Sequence, residues 1–144
     1  MKYCLTLPFL LLLFNVNAQI IDSSKYFITK ALINNEDLST DYSSNKQYLS
    51  FYKNEHNELC FLNSRFNKEE YSYGRINHYR LLKSKIDSFN VDEISFRWNF
   101  RNSYDIDTGY AVVQLTKLYK NNQPEFSFKM VSPSDIIEFS GYVK

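Results

Sequence analysis

The chain is poor in the residues that make cross-links, sharp turns and phosphate loops. Among 144 residues there are two cysteines, three glycines and three prolines. Cys4 precedes an N-terminal apolar run and Cys60 is the one cysteine after it, so an intrachain disulfide in the folded domain is excluded and stability rests on packing. Isolated glycines at 74, 109 and 141 exclude a glycine-rich phosphate loop, and no G-x-S-x-G, H-E-x-x-H or C-x-x-C spacing occurs. No block of like charges exists, which argues against nucleic acid and against a polybasic membrane-surface mode, since both need a concentrated basic face. Past Phe14 no apolar run reaches ten residues, so no membrane-spanning helix is expected after the leader, because a span needs about 20.

The first residues have the three parts of a secretory leader: Lys2, an apolar run from Leu5 to Phe14, and a short segment ending in Val16-Asn17-Ala18 before Gln19. We expect a signal peptide over residues 1–18, cut at Ala18–Gln19, and a periplasmic or extracellular product. Cys4 lies ahead of the apolar run rather than after it, so a lipid anchor is not expected. A leader of 18 residues leaves 126 of the 144, the size of one domain, expected over residues 19–144. Losing Lys2 leaves sixteen Lys and Arg against sixteen Asp and Glu, a nearly neutral domain.

What is plentiful is aromatic: 12 Phe, 12 Tyr and one Trp make 17% of the chain. Asn and Lys are also frequent. Both trends fit an AT-rich bacterial genome, so part of the aromatic excess is compositional.

The side-chain period divides the chain. Asp22 to Ile33 reads as a helix, with Asp22, Ser23 and Ser24 as N-cap candidates, Phe27, Ile28, Ala31 and Leu32 at helical spacing, and Asn34-Asn35 as stops. Residues 36–46 read as a polar loop. From Gln47 the period becomes two. Tyr48–Lys53 and Glu58–Phe66 form a hairpin pattern around residues 54–57, and Tyr71–Ile76 a short strand. Residues 77–90 are ambiguous, with Tyr79, Leu82 and Ile86 at helical spacing. Ile94–Arg101 is the clearest strand, with Ile94, Phe96, Trp98 and Phe100 alternating against Ser95, Arg97, Asn99 and Arg101. Tyr110–Tyr119, a strand with Phe126, Phe128 and Met130 on one face, and a last strand through Ile137, Phe139 and Val143 complete the pattern. Short strands joined by polar turns imply antiparallel pairing. The expected fold is therefore α+β: the N-terminal helix packed on a curved antiparallel sheet of six or seven strands, with Ile94, Phe96, Trp98, Phe100, Phe126 and Phe128 in the core. The alternative is a small closed β-barrel with a helical lid.

Few residues suggest chemistry. His56 and Cys60 have the minimal kit of a thiol nucleophile, but Cys60 stands between Leu59 and Phe61 and reads as a small core hydrophobe. Asp105 and Asp107 belong to a D-x-D-x-G fragment that resembles part of a calcium loop yet lacks its distant bidentate acid. The bland reading is a turn in which Asp caps backbone amides. Arg97, Asn99 and Arg101, about 7 Å apart along one strand face, with Tyr104 just beyond, form the most interesting polar row. Guanidiniums there can take an anion, while a solvated sheet face is the bland alternative. Tyr48, Tyr52, Tyr71, Tyr73 and Tyr79 are candidates for a contact surface. The pattern points to an exported, non-enzymatic binding or interaction module for a protein, glycan or small ligand, with no cofactor. The alternatives are a small envelope hydrolase using His56 or His78, and a structural envelope component.

Overall fold

A computed structural model of the protein describes residues 23–64 and 69–144. The expected leader and Asp22 lie outside the described residues.

Among the described residues, nine strands and one short helix follow in order: β1 (Lys25–Ile33), β2 (Glu36–Asp37), α1 (Ser39–Ser44), β3 (Tyr48–Lys53), β4 (Leu59–Ser64), β5 (Tyr71–Ile86), β6 (Phe89–Asn102), β7 (Thr108–Tyr119), β8 (Glu125–Val131) and β9 (Ile136–Val143). All belong to one antiparallel sheet in the order β2-β1-β3-β4-β5-β6-β7-β8-β9, and β9 pairs back onto β1. Eight strands thus close a barrel. β2 lies outside the ring as a two-residue flap on β1.

The expected N-terminal helix on an open curved sheet is overturned. The segment read as that helix is β1, the strand that closes the barrel, paired with β3 on one side and β9 on the other. The physical reason is a β-bulge. Pairing with β9 shifts register between Ile28 and Lys30, so Ile28 and Thr29 together oppose a single partner position. Tyr26 and Ile28 point inward by ordinary alternation, and the extra residue then makes Ala31, three positions on, the next inward side chain; all three are at most 2% exposed. A step of three inside a strand imitates helical spacing. The β-branched and aromatic content of Tyr26, Phe27, Ile28, Thr29 and Ile33 suits the extended form.

Asn34 and Asn35, expected to stop a helix, instead adopt positive φ of 50° and 68° in the two-residue turn to β2. The stretch expected as loop contains β2 and the six-residue α1. Asp37 accepts the Ser39 N–H at 2.9 Å, and Tyr42 on α1 is buried against Phe139 with ring centroids 5.1 Å apart. That contact packs α1 against the barrel, but at six residues α1 is far shorter than a helical lid. The ambiguous residues 77–90 are strand and turn. β5 runs through them to Ile86, a bulge between Asn77 and Arg80 resets its register, and Asp87 at φ 54° turns the chain into β6. Leu82 and Ile86 are exposed, so their helical spacing marks no buried stripe.

The interior is filled by rings. Phe61 is fully buried and touches four others, with centroids at 5.0 Å to Phe51, 5.1 Å to Phe96, 5.2 Å to Trp98 and 5.9 Å to Phe128. Tyr26 joins Phe51 and Phe126, and Phe128 stacks on Phe139. Ile94, Phe96, Trp98, Phe126 and Phe128 lie in this core, and Phe100 packs half-buried at its margin. An eight-stranded barrel has just enough room for side chains to fill it, and large aromatics do so here. On β7 and β8 the inward side chains are apolar except for Lys117, and the outward ones are mostly polar, the reverse of a lipid-facing barrel. Among the described residues no helix is long and apolar enough to cross a membrane.

Candidate functional site

With the interior full, room for a ligand lies on the outer wall. The registers of β3 to β7 carry two neighbouring rows of outward side chains around the barrel. One row runs Tyr52, Cys60, Arg75, Asn99, Tyr110; the next runs Ser50, Leu62, Tyr73, Arg101, Thr108. Adjacent rows are about 7 Å apart along each strand. The β3–β4 loop, with Asn54, Glu55, His56 and Glu58, the first row, and Tyr73, Arg101 and Thr108 of the second line a groove of about 800 Å³.

The loop is shaped by Asn54. Its Oδ1 accepts the backbone N–H of His56 at 3.0 Å and of Glu58 at 2.9 Å, and Asn57 at φ 61° completes the turn. Asn54 Nδ2 also donates to Glu58 Oε2 at 2.8 Å, while Glu58 Oε1 accepts from Arg75 Nη1 at 2.7 Å. These two donors, Asn54 first and then Arg75, hold the Glu58 carboxyl below the usual carboxylate range. Arg75 is thereby fixed in the groove. Arg101 lies with Cζ 5.5 Å from the centroid of the Tyr73 ring, a cation–π contact that leaves its N–H edges available. Gly74, between Tyr73 and Arg75, stands where a Cβ would run into the Asn99 carbonyl, so the absence of a side chain lets β5 and β6 approach at the groove floor.

Cys60 is on the outer row, not in the barrel core, and is only 2% exposed beneath its neighbours. Burial pushes its thiol pKa up. Burial likewise pushes Tyr52 up to about 12, with the Cys60 hydrogen bond adding to the effect. Cys60 is therefore held as a neutral thiol, which works against the thiolate a nucleophile needs. His56 is well exposed on the loop, 3.4 Å from Glu55. His78 is exposed at the β5 bulge with φ 55°.

The sequence row is split by the fold. Asn99 and Arg101 line the groove. Arg97 sits one row further along β6, level with Asn77 and Val112. Tyr104, 60% exposed in the β6–β7 loop, lines a smaller hollow of about 270 Å³ with Tyr42, Gln47 and Tyr71. Asp105 accepts from Asn102 Nδ2 at 3.1 Å and from the Asp107 N–H at 2.9 Å, the pattern of a carboxylate-capped turn. Among the described residues no group of three or more His, Cys, Asp or Glu side chains is placed to hold a metal ion. Of the five candidate tyrosines, Tyr52 and Tyr73 line the groove, whereas Tyr79 turns toward Phe51 at 6.4 Å. Sequence reasoning missed Arg75, Glu58 and Tyr110. Counting the β5–β6–β7 hairpins outward from Asn99 would have found Arg75 and Tyr110 as its flanking partners.

The groove thus combines ring faces, planar polar forks and a tethered ion pair. No protein-family model, no curated protein and no solved structure matches this chain.

Proposed function

We propose that the protein is an exported, non-enzymatic binding module whose outer groove takes a saccharide, with an acidic sugar favoured over a neutral one. The observation that carries this reading is the convergence of Tyr52, Tyr73 and Tyr110 with Asn99, Arg75 and Arg101 in one groove. A sugar presents C–H groups on its ring faces and hydroxyls around its rim. The electron-rich face of a tyrosine suits the former, and planar forks such as Arg and Asn span neighbouring hydroxyls or a carboxylate. Arg75 already shares its charge with Glu58, so Arg101 is the cation available to an anionic substituent. The raised Cys60 pKa supports binding over thiol chemistry.

The test is calorimetric titration of the protein with glucuronate, glucose and their short oligomers, together with Arg101→Ala and Tyr73→Ala. The acidic sugars should bind more tightly than the neutral ones. Losing the charged hydrogen bonds of Arg101 should weaken that binding about tenfold to a hundredfold. Saturable binding that ignores both substitutions, or no binding by any of these sugars, refutes the proposal.

A further inference from the structure

β4 follows β5 only from Tyr71 to Arg75. Beyond that point β5 continues to Ile86 paired with β6 alone, so one edge of Arg80–Ile86 carries no strand among the described residues. All seven of these residues are exposed. The edge is about 20 Å long and bears a row of main-chain N–H and C=O groups. It is also apolar for an edge: Leu81 is 45% exposed, Leu82 60% and Ile86 54%.

Its charge is of one sign. Arg80, Lys83 and Lys85 fall on this stretch, and no Asp or Glu occurs from Tyr71 to Ile86. None of the three cations has an ion-pair partner among the described residues. A second copy is a poor occupant, because antiparallel pairing of two Arg80–Ile86 edges brings Lys83 and Lys85 of one copy beside Lys83 and Lys85 of the other on one face, and the stretch carries no acid. An extended acidic chain fits instead. Its backbone completes the ladder, its acids meet Lys83 and Lys85 on one face, and its apolar residues meet Leu82 and Ile86 on the other.

We infer that the Arg80–Ile86 edge of β5 docks an extended, acidic segment of a partner protein, which joins the sheet as an added strand. The site is separate from the groove and does not depend on the saccharide reading.

The experiment uses a fluorescent peptide of alternating valine and glutamate, followed by anisotropy against the purified protein. Three further probes are a peptide of the same charge with two consecutive prolines at its centre, a valine–lysine peptide, and vesicles containing phosphatidylglycerol. The acidic peptide should bind, and binding should fall as salt rises. Lys83→Glu with Lys85→Glu should weaken it about tenfold, two exposed charges being turned from attraction to repulsion. The proline peptide should not bind, because it cannot complete the ladder. The inference is overturned if the proline peptide binds as well as its parent, since that is charge alone. It is overturned equally if the lysine peptide binds as tightly. Vesicle binding without peptide binding, or a concentration-dependent dimer abolished by Lys83→Glu with Lys85→Glu in place of peptide binding, assigns the edge to a membrane or a second copy and also refutes it. Circular dichroism of the doubly substituted protein should match the parent, because both side chains are exposed.

Discussion

Replacing Phe61 with Ala tests whether the aromatic interior holds the barrel closed. Phe61 is fully buried and meets Phe51, Phe96, Trp98 and Phe128 at centroid distances of 5.0 to 5.9 Å. Truncating a buried phenylalanine costs about 3–5 kcal/mol, from lost transfer energy and the cavity left behind. Phe61 sits at the centre of four rings on β3, β6 and β8, which cannot all relax into one void, so the low end of that range does not apply and the loss is about 4 kcal/mol. For a domain of this size about 1 kcal/mol moves Tm by about 4 °C, so Tm should fall by about 15 °C. Urea unfolding followed by tryptophan fluorescence reads the same loss as a lower midpoint with an unchanged slope, and Trp98 is a built-in reporter because it touches Phe61. Tyr110→Ala, at a position 65% exposed, should change stability by no more than about 0.5 kcal/mol. A loss below about 1.5 kcal/mol for Phe61→Ala refutes the claim that the rings form a single continuous core.

Deleting Thr29 removes the bulge residue of β1 and leaves Tyr26, Ile28, Ala31 and Ile33 in strict alternation, so the protein should still fold, within about 1 kcal/mol of the parent. Deleting Ser127 in β8, which pairs without a bulge, flips Phe126 relative to Phe128 and should abolish cooperative unfolding in a thermal melt. The Tyr52 hydroxyl, raised to about 12 from an unfolded value near 10, favours the neutral form in the folded state. Its contribution is therefore intact below about pH 10 and is lost as pH climbs toward 12. Tyrosinate absorbance should show one late-titrating tyrosine that disappears in Tyr52→Phe, and alkaline unfolding should begin at higher pH in that variant. Glu58, held low by Asn54 and Arg75, stabilises above the ordinary carboxylate range and loses that effect as pH drops through its folded value. In Glu58→Gln the acid limb of stability should flatten, and carboxyl NMR titration of the parent should find one Glu that stays ionised after the others have protonated.

The clearest reading from sequence came where periodicity was uninterrupted. Ile94, Phe96 and Trp98 alternate without a bulge and are 5% exposed or less. Tyr48–Lys53 carries the same period as β3, and the turn at residues 54–57 separates two strands in the structure as in the sequence. Reading failed at β1, where a single extra residue turns a period of two into a step of three, and stayed ambiguous over the distal part of β5, where Leu82 and Ile86 face solvent and alternation marks no buried face. The groove was half legible. Asn99 and Arg101 stand on one strand and are visible as a pair, but Arg75 and Tyr110 come from other strands through register, and Glu58 comes from the β3–β4 loop.

By itself, the sequence determined which side chains take the two faces of each regular strand, because alternation is a local property of an extended chain. It also determined that no disulfide inside the domain stabilises it, because Cys60 is the one cysteine past the apolar run. Closure was decided by tertiary structure alone. β1 and β9 lie at opposite ends of the chain, and only the summed twist and shear of eight strands brings their edges together, which no local pattern encodes.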